Sequence, residues 1–175
     1  ALNSDIERFT HGENWKNMPD NGYVIGATPF ATCTQRLEDY SFDTVIFDEA
    51  SQITLPLAIM AMRKGTRFIF VGDHKQLPPV VLSNSILDRS HSAFSALINN
   101  NNELSVMLDE TYRMNQWLTD WPSRTYYQHA LKASGPNQAR RFPLSPPPGF
   151  ASQILNPEHS LVYIPSPGTD ANVVV

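Results

Sequence analysis

The chain has 175 residues, 41% of them apolar, and a formal charge of −4 from 13 basic and 17 acidic side chains. That length supports one domain with a real core, and the acidic balance offers no basic stripe for nucleic acid. No apolar run approaches the roughly 18 residues of a membrane span, and the first residues lack a basic segment followed by an apolar one, so neither a span nor a secretory signal is read. A single cysteine, Cys33, excludes an intramolecular disulfide and a Cys-based zinc site. It fits a reducing compartment, the cytoplasm or, in a eukaryotic cell, the nucleus. The five histidines show no H-x-x-x-H or H-E-x-x-H pairing.

In chain order, Tyr23-Val24-Ile25-Gly26 reads as a first strand. Asp43-Thr44-Val45-Ile46-Phe47 and Arg67-Phe68-Ile69-Phe70-Val71 are short continuous apolar runs, the habit of strands buried on both faces of a parallel sheet. Between them, residues 55–62 are rich in helix formers, with Pro56 tolerable in a first turn. Strand, helix, strand makes a βαβ unit. Segments 83–100 and 115–131 read as helices, and Leu104–Leu108 as a further strand. From Pro136 onward lie 8 of the 14 prolines, so 136–159 is expected to be irregular, with one late strand at Ser160–Ile164. The fold class is α/β with a mainly parallel sheet. Charge divides unevenly: residues 1–110 carry 8 basic and 14 acidic side chains, residues 111–175 carry 5 and 3.

Ligand chemistry in such sheets sits at the carboxyl ends of the strands. Asp48-Glu49 and Gly72-Asp73 both fall there. Adjacent carboxylates after an apolar strand suit nucleoside-triphosphate hydrolysis, one holding Mg²⁺ and the next accepting a proton from water. Gln76 adds an amide able to orient that water or touch the terminal phosphate. Alone, an Asp-Glu pair at a strand end is as well explained by a solvated turn or a helix cap.

The combination is more specific. Asp48-Glu49-Ala50-Ser51-Gln52, followed by Gly72-Asp73-His74-Lys75-Gln76-Leu77-Pro78-Pro79, resembles motifs II and III of superfamily 1 helicases. Leu108-Asp109-Glu110-Thr111-Tyr112-Arg113-Met114 resembles their motif IV, written Q-Y-R-M in the branch that moves 5′ to 3′ on DNA or RNA and includes the nonsense-mediated-decay helicases. Residues 121–131 and Val24-Ile25-Gly26-Ala27-Thr28 follow that branch too. The resemblance covers about residues 22–131 and implies a partial RecA-like sheet of the P-loop NTPase class. Residues 1–105 would be the C-terminal part of one motor lobe and 106–175 the beginning of a second. It also implies roles. Asp48 would bind Mg²⁺, Glu49 would be the general base, and Gln76 would couple the γ-phosphate to the second lobe. Arg113 would reach that phosphate, Tyr112 would stack on adenine, and Thr28 would hydrogen-bond a nucleic-acid phosphate. The glutamine before the tyrosine is Thr111 here, which leaves that residue's contact in doubt. The Tyr112-Arg113-Met114 segment separates the chain from phosphate-starvation-type ATPases, which share D-E-A and G-D-x-x-Q.

A phosphate-cradling loop G-x-x-x-x-G-K-[S/T] is absent, since no two of the eight glycines are five apart, and motifs V and VI are absent too. The expectation is a slice of an ATP-dependent translocase on single-stranded DNA or RNA, inactive without the remaining helicase lobes. The alternative is a degenerate lobe kept as a binding or scaffold module. Trp117 and Trp121, four apart, read as a packed apolar helix face, with base stacking by them and Tyr126-Tyr127 as the other option. Arg140-Arg141 reads as solvated surface, Cys33 as buried or half-buried, and His74 as shaping the loop beside Asp73.

Overall fold

The computed structural model describes residues 22–80, 92–100, 102–141, 145, 148–149, 151–156 and 158–164. The chain divides into two compact units, Ala1–Ser105 and Val106–Val175. Each is a small α/β assembly built on a parallel strand pair. Among the described residues no helix is long and apolar enough to cross a membrane.

In the first unit, β1 (Phe42–Phe47), α1 (Leu55–Met62) and β2 (Gly65–Phe70) form the expected βαβ unit. The strands run parallel, with Val45 opposite Phe68, Ile46 opposite Ile69 and Phe47 opposite Phe70. Pro56 sits in the first turn of α1, where its missing N–H has no intrahelical partner to lose. Small buried residues, Ala58 and Ala61, face the sheet and let the helix lie close to it. The core joins Phe47, Ala50, Ala58, Ala61 and Ala93, with Val45, Phe68, Phe70 and Phe94 packed around them. Phe47 and Phe70 stack with ring centroids 4.5 Å apart. Burying a side chain of this kind contributes about 1.5–3 kcal/mol. Helix α2 (Ala93–Asn100) docks through a bridge between Thr54 and Ser92 and a bond from the Ala93 amide to the Ile53 carbonyl, 2.9 Å. Ser92 caps it, its hydroxyl accepting from the Ser95 amide at 3.0 Å.

Several expectations need correction here. The strands are not buried on both faces: Ile46 is 63% and Ile69 50% exposed. The described helices pack on the Val45–Phe47 face, so the alternate residues keep their water. Residues 22–28 form no strand; they carry no ladder to β1, and Val24 is fully exposed, although Tyr23 meets Phe42 edge-on. The helix expected at 83–100 is seen only as α2, since 81–91 lie outside the described residues. Cys33 is exposed. It closes a short 3₁₀ helix, Pro29–Cys33, in which the Thr32 hydroxyl donates to the Pro29 carbonyl at 2.6 Å and lies 3.5 Å from the Met60 carbonyl of α1.

In the second unit, β3 (Glu110–Thr111) pairs in parallel with β4 (Lys132–Ala133), and α3 (Gln116–Tyr126) connects them. The strand expected at 104–108 is displaced. Asn102–Leu104 is a 3₁₀ turn, residues 105–109 run without a ladder, and pairing begins at Glu110. Helix α3 stops at Tyr126 instead of 131 because the chain turns left-handed at Gln128 and His129 (φ 52° and 65°), and the Tyr127 and His129 amides both close on the Ser123 carbonyl. Two successive non-glycine residues in that region store backbone strain.

The buried stripe of α3 is polar, Thr119 and Ser123, and not the tryptophan face. The Thr119 hydroxyl donates back to the Asn115 carbonyl and the Ser123 hydroxyl to the Leu131 carbonyl, each at 2.8 Å, so both are satisfied. Trp117 and Trp121 stay about half exposed. Arg141 lies over the Trp117 ring, 3.9 Å from its centroid, and pairs with Glu158, so it is engaged surface instead of a free cation. Asn115 caps α3 by accepting from the Leu118 amide, and its own amide donates to the Arg140 carbonyl and the Ser160 hydroxyl. Among the described residues the proline-rich stretch keeps some local order. It holds a 3₁₀ turn at Gly135–Asn137 and the short α4 (Ala151–Ile154). Residues 160–164 form no strand.

One close approach fixes the carboxyl end of the first sheet. A Cβ on Gly72 would lie 2.9 Å from the Ser51 amide nitrogen and 3.1 Å from that of Ala50. Both are backbone atoms that cannot rotate away. Gly72→Ala is expected to lower stability by about 1–3 kcal/mol, as overpacking does. Urea unfolding checks this; an unchanged midpoint contradicts the close approach.

Candidate functional site at the strand ends

The carboxyl end of the β1–β2 pair carries most of the sequence-derived candidates. Because the strands are parallel and in register, Asp48-Glu49 and Val71-Gly72-Asp73 leave the sheet side by side. The join is tight. The Val71 amide donates to the Phe47 carbonyl and the Val71 carbonyl accepts from the Ala50 amide, both at 2.8 Å. The second segment is therefore inserted between the strand residue before the carboxylates and the alanine after them.

Asp48 and Glu49 are both exposed and occupy a turn. The Glu49 amide donates to Asp48 Oδ1 at 3.0 Å, and Glu49 itself is left-handed, φ 50°. A glutamate held there is a local cost that the flanking strand and 3₁₀ turn (Ala50–Gln52) sustain. The result sends the two carboxylates into solvent at the strand mouth instead of into the core.

The neighbouring loop is organised by Asp73. Its amide meets the buried Ser51 hydroxyl at 3.5 Å. Its Oδ1 accepts from the Lys75 amide and its Oδ2 from Gln76 Nε2, each at 2.9 Å, while the Gln76 amide donates to the Asp73 carbonyl at 3.1 Å. The role foreseen for His74 thus belongs to Asp73 itself; the His74 ring stands instead 6.3 Å from Phe94. Ser51 and Gly72 stand inside the motifs read from the sequence, but that reading gave neither a role. Their signal was small size beside a charged motif, which marks a close backbone approach only once the partner strand is known.

Thr28 lies apart from this cluster in sequence and local structure. It caps the Pro29–Cys33 helix, accepting from the Ala31 amide at 3.4 Å, with its side chain exposed.

In the second unit Tyr112 and Arg113 follow β3 directly and are exposed. The Thr111 hydroxyl accepts from the Arg113 amide at 3.3 Å, so the residue that replaces the expected glutamine shapes the local turn. The Tyr112 hydroxyl donates to Glu110 Oε2 at 3.0 Å. The Tyr112 ring rests against Gly135, where a Cβ would lie 2.5 Å from Cδ1 and φ is +70°, so both contact and conformation require glycine. Asn137 donates to the Tyr112 carbonyl. The Cδ1–Cε1 edge of the ring is thereby set against Gly135, while the residue remains 58% exposed. An open groove of about 560 Å³ also runs between α3 and β4, lined among others by Glu110, Asp120, His129 and Lys132. Its mixed charges select no single ligand class.

Among the described residues no group of three or more potential metal ligands gathers. Mg²⁺ does not need one: it takes one or two carboxylates and fills its octahedron with water and substrate phosphate. Asp48, exposed and engaged through one oxygen by its neighbour's amide, fits that requirement.

Family models described as AAA domain match residues 2–84 and 89–171, most of the chain between them. An uncharacterised ATP-dependent helicase of Methanocaldococcus jannaschii is 37% identical over 110 residues, covering 63% of this chain and 16% of that protein. The ATP-dependent helicase NAM7 of Saccharomyces cerevisiae is 34% identical over 147 residues, 81% of this chain and 15% of its own length. The DNA replication ATP-dependent helicase/nuclease DNA2 of Bos taurus is 38% identical over 144 residues, 75% of this chain and 14% of its own. The chain thus spans less than a fifth of the length of these relatives. With motifs II, III and IV in order on an α/β scaffold, the chain belongs to the superfamily 1 helicases, in the branch of the nonsense-mediated-decay helicases.

Proposed function

We propose that this chain supplies the hydrolytic edge of an ATP-driven motor that moves on single-stranded DNA or RNA. The observation that carries the reading is the interlock of Asp48-Glu49 with Asp73–Gln76 through Val71, Gly72 and Ser51. It brings the Asp48 and Glu49 carboxylates and the Gln76 amide to one strand-end mouth, and NTP hydrolysis would use such a set as metal ligand, general base and water- or phosphate-facing group. Asp48 would hold Mg²⁺, which when bound neutralises charge on the β- and γ-phosphates. Glu49 would take the proton of the attacking water, its left-handed backbone presenting the carboxylate away from the sheet. Arg113, always charged and fork-shaped, would stabilise the phosphoryl charge, and Tyr112, its ring edge set against Gly135 and its side chain exposed, would stack on adenine. Thr28 would contact a nucleic-acid phosphate.

Glu49→Gln in the full-length protein is the direct test. Nucleic-acid-stimulated ATPase should fall by about 10²–10⁴-fold, the usual contribution of a positioned base. Turnover close to wild type would sink the assignment.

The 175 residues hold no G-x-x-x-x-G-K-[S/T] loop. Backbone N–H groups converging on the phosphates, with the loop lysine, supply much of the affinity for a triphosphate. The chain by itself would therefore neither bind ATP tightly nor hydrolyse it, and would act together with the remaining helicase lobes. Titration calorimetry of the isolated chain with an ATP analogue and Mg²⁺ should show no micromolar binding; a micromolar affinity would overturn this point.

A further inference from the structure

Gln76 can serve the strand-end site in two opposite ways. Its amide can donate through nitrogen to a terminal phosphate, or accept through oxygen from the attacking water. The two ends of an amide are nearly the same size, so its surroundings decide which is presented. Here the decisive neighbour is Asp73. Its Oδ2 lies 2.9 Å from Gln76 Nε2, and an ionised carboxylate can only accept. The amide must therefore turn nitrogen toward Asp73, and a flip would set two acceptor oxygens against each other. Oε1 is left as the outward acceptor, and no donor among the described residues engages it.

Asp73 is itself held by its surroundings. Its Oδ1 takes the Lys75 amide at 2.9 Å, its amide meets the Ser51 hydroxyl at 3.5 Å, and its carbonyl takes the Gln76 amide at 3.1 Å. Ser51 is buried and belongs to the turn that follows Asp48-Glu49, so the carboxylate orienting the glutamine is registered on the same backbone as the carboxylates at the mouth.

We propose that Asp73 is a positioning residue that fixes the polarity of the Gln76 amide, so that Gln76 acts on ATP hydrolysis as a hydrogen-bond acceptor for the attacking water rather than as a donor to the terminal phosphate. This rests on the ATPase reading above and assigns it one more residue.

The test uses the full-length protein, with kcat and KM for ATP measured at saturating single-stranded nucleic acid. In Asp73→Asn, the side-chain carbonyl oxygen still accepts from the Lys75 amide, so the turn is kept while the polarity constraint is lost. The expected result is a kcat lowered by up to about a hundredfold, the scale of a small misplacement of a reacting group, with KM little changed. Combining Asp73→Asn with Gln76→Glu reverses the bond: the introduced amide donates to the introduced carboxylate, which returns an acceptor oxygen to the outward end. The double variant should recover kcat above that of Asp73→Asn alone. A raised KM with unchanged kcat in Asp73→Asn would identify a phosphate donor and overturn the proposal. So would wild-type kinetics in that variant, or a double variant no better than Asp73→Asn. Glu49→Gln, run in parallel, separates the levels: if it retains turnover the ATPase reading itself has failed, whereas if it is inactive a wild-type Asp73→Asn removes only the role of Asp73.

Discussion

Two backbone hydrogen bonds through Val71 hold the site together. Its amide donates to the Phe47 carbonyl and its carbonyl accepts from the Ala50 amide. They extend the parallel β1–β2 pairing one residue past the sheet and make the turn carrying Asp48-Glu49 part of the same ladder as the loop carrying Asp73 and Gln76. Such pairing demands that the next residue pass very close to the turn, which is why position 72 is glycine. It also demands a core beneath the strand ends, provided by the Phe47–Phe70 stack over Ala50, Ala58 and Ala93. Remove the close approach and the carboxylates still exist, but their spacing from the glutamine loop is no longer set.

Strain and satisfaction are distributed accordingly. Glu49 carries an unfavourable left-handed backbone at the mouth, while the buried polar groups around it, such as Ser51, are paired. Local cost at exposed polar residues over a satisfied support is the arrangement expected of a functional site. The second unit repeats the pattern on a smaller scale. Tyr112 is pinned by Gly135, Glu110 and Asn137, yet stays exposed.

The sequence was most informative where local and tertiary demands coincide. Residues 43–47 and 67–71 were legible as strands from short apolar runs with β-branched and aromatic side chains, and 55–62 as a helix from its helix formers behind Pro56. The carboxylate and glutamine motifs were legible from spacing and family resemblance. What failed depended on pairing that no single segment encodes. Val24 and Leu161 belong to β-rich runs, but a strand exists only when a neighbour completes its hydrogen bonds. Trp117 and Trp121 have core spacing, yet α3 buries Thr119 and Ser123, whose hydroxyls close bonds to carbonyls that periodicity does not reveal. Cys33, small and apolar, was expected buried or half-buried and is exposed, while Thr32 beside it lies against α1. The link from Ser51 to Asp73 to Gln76 was hidden because its partners come from two separate stretches.

The assignment as a nucleic-acid motor is tested most directly by ATP turnover of the unmodified full-length protein, measured with and without single-stranded DNA or RNA. Because the two motif loops are registered on one sheet edge, a motor should hydrolyse slowly alone and markedly faster when at least one of the two strands is bound. Turnover that is absent under both conditions, or indifferent to either nucleic acid, would contradict it.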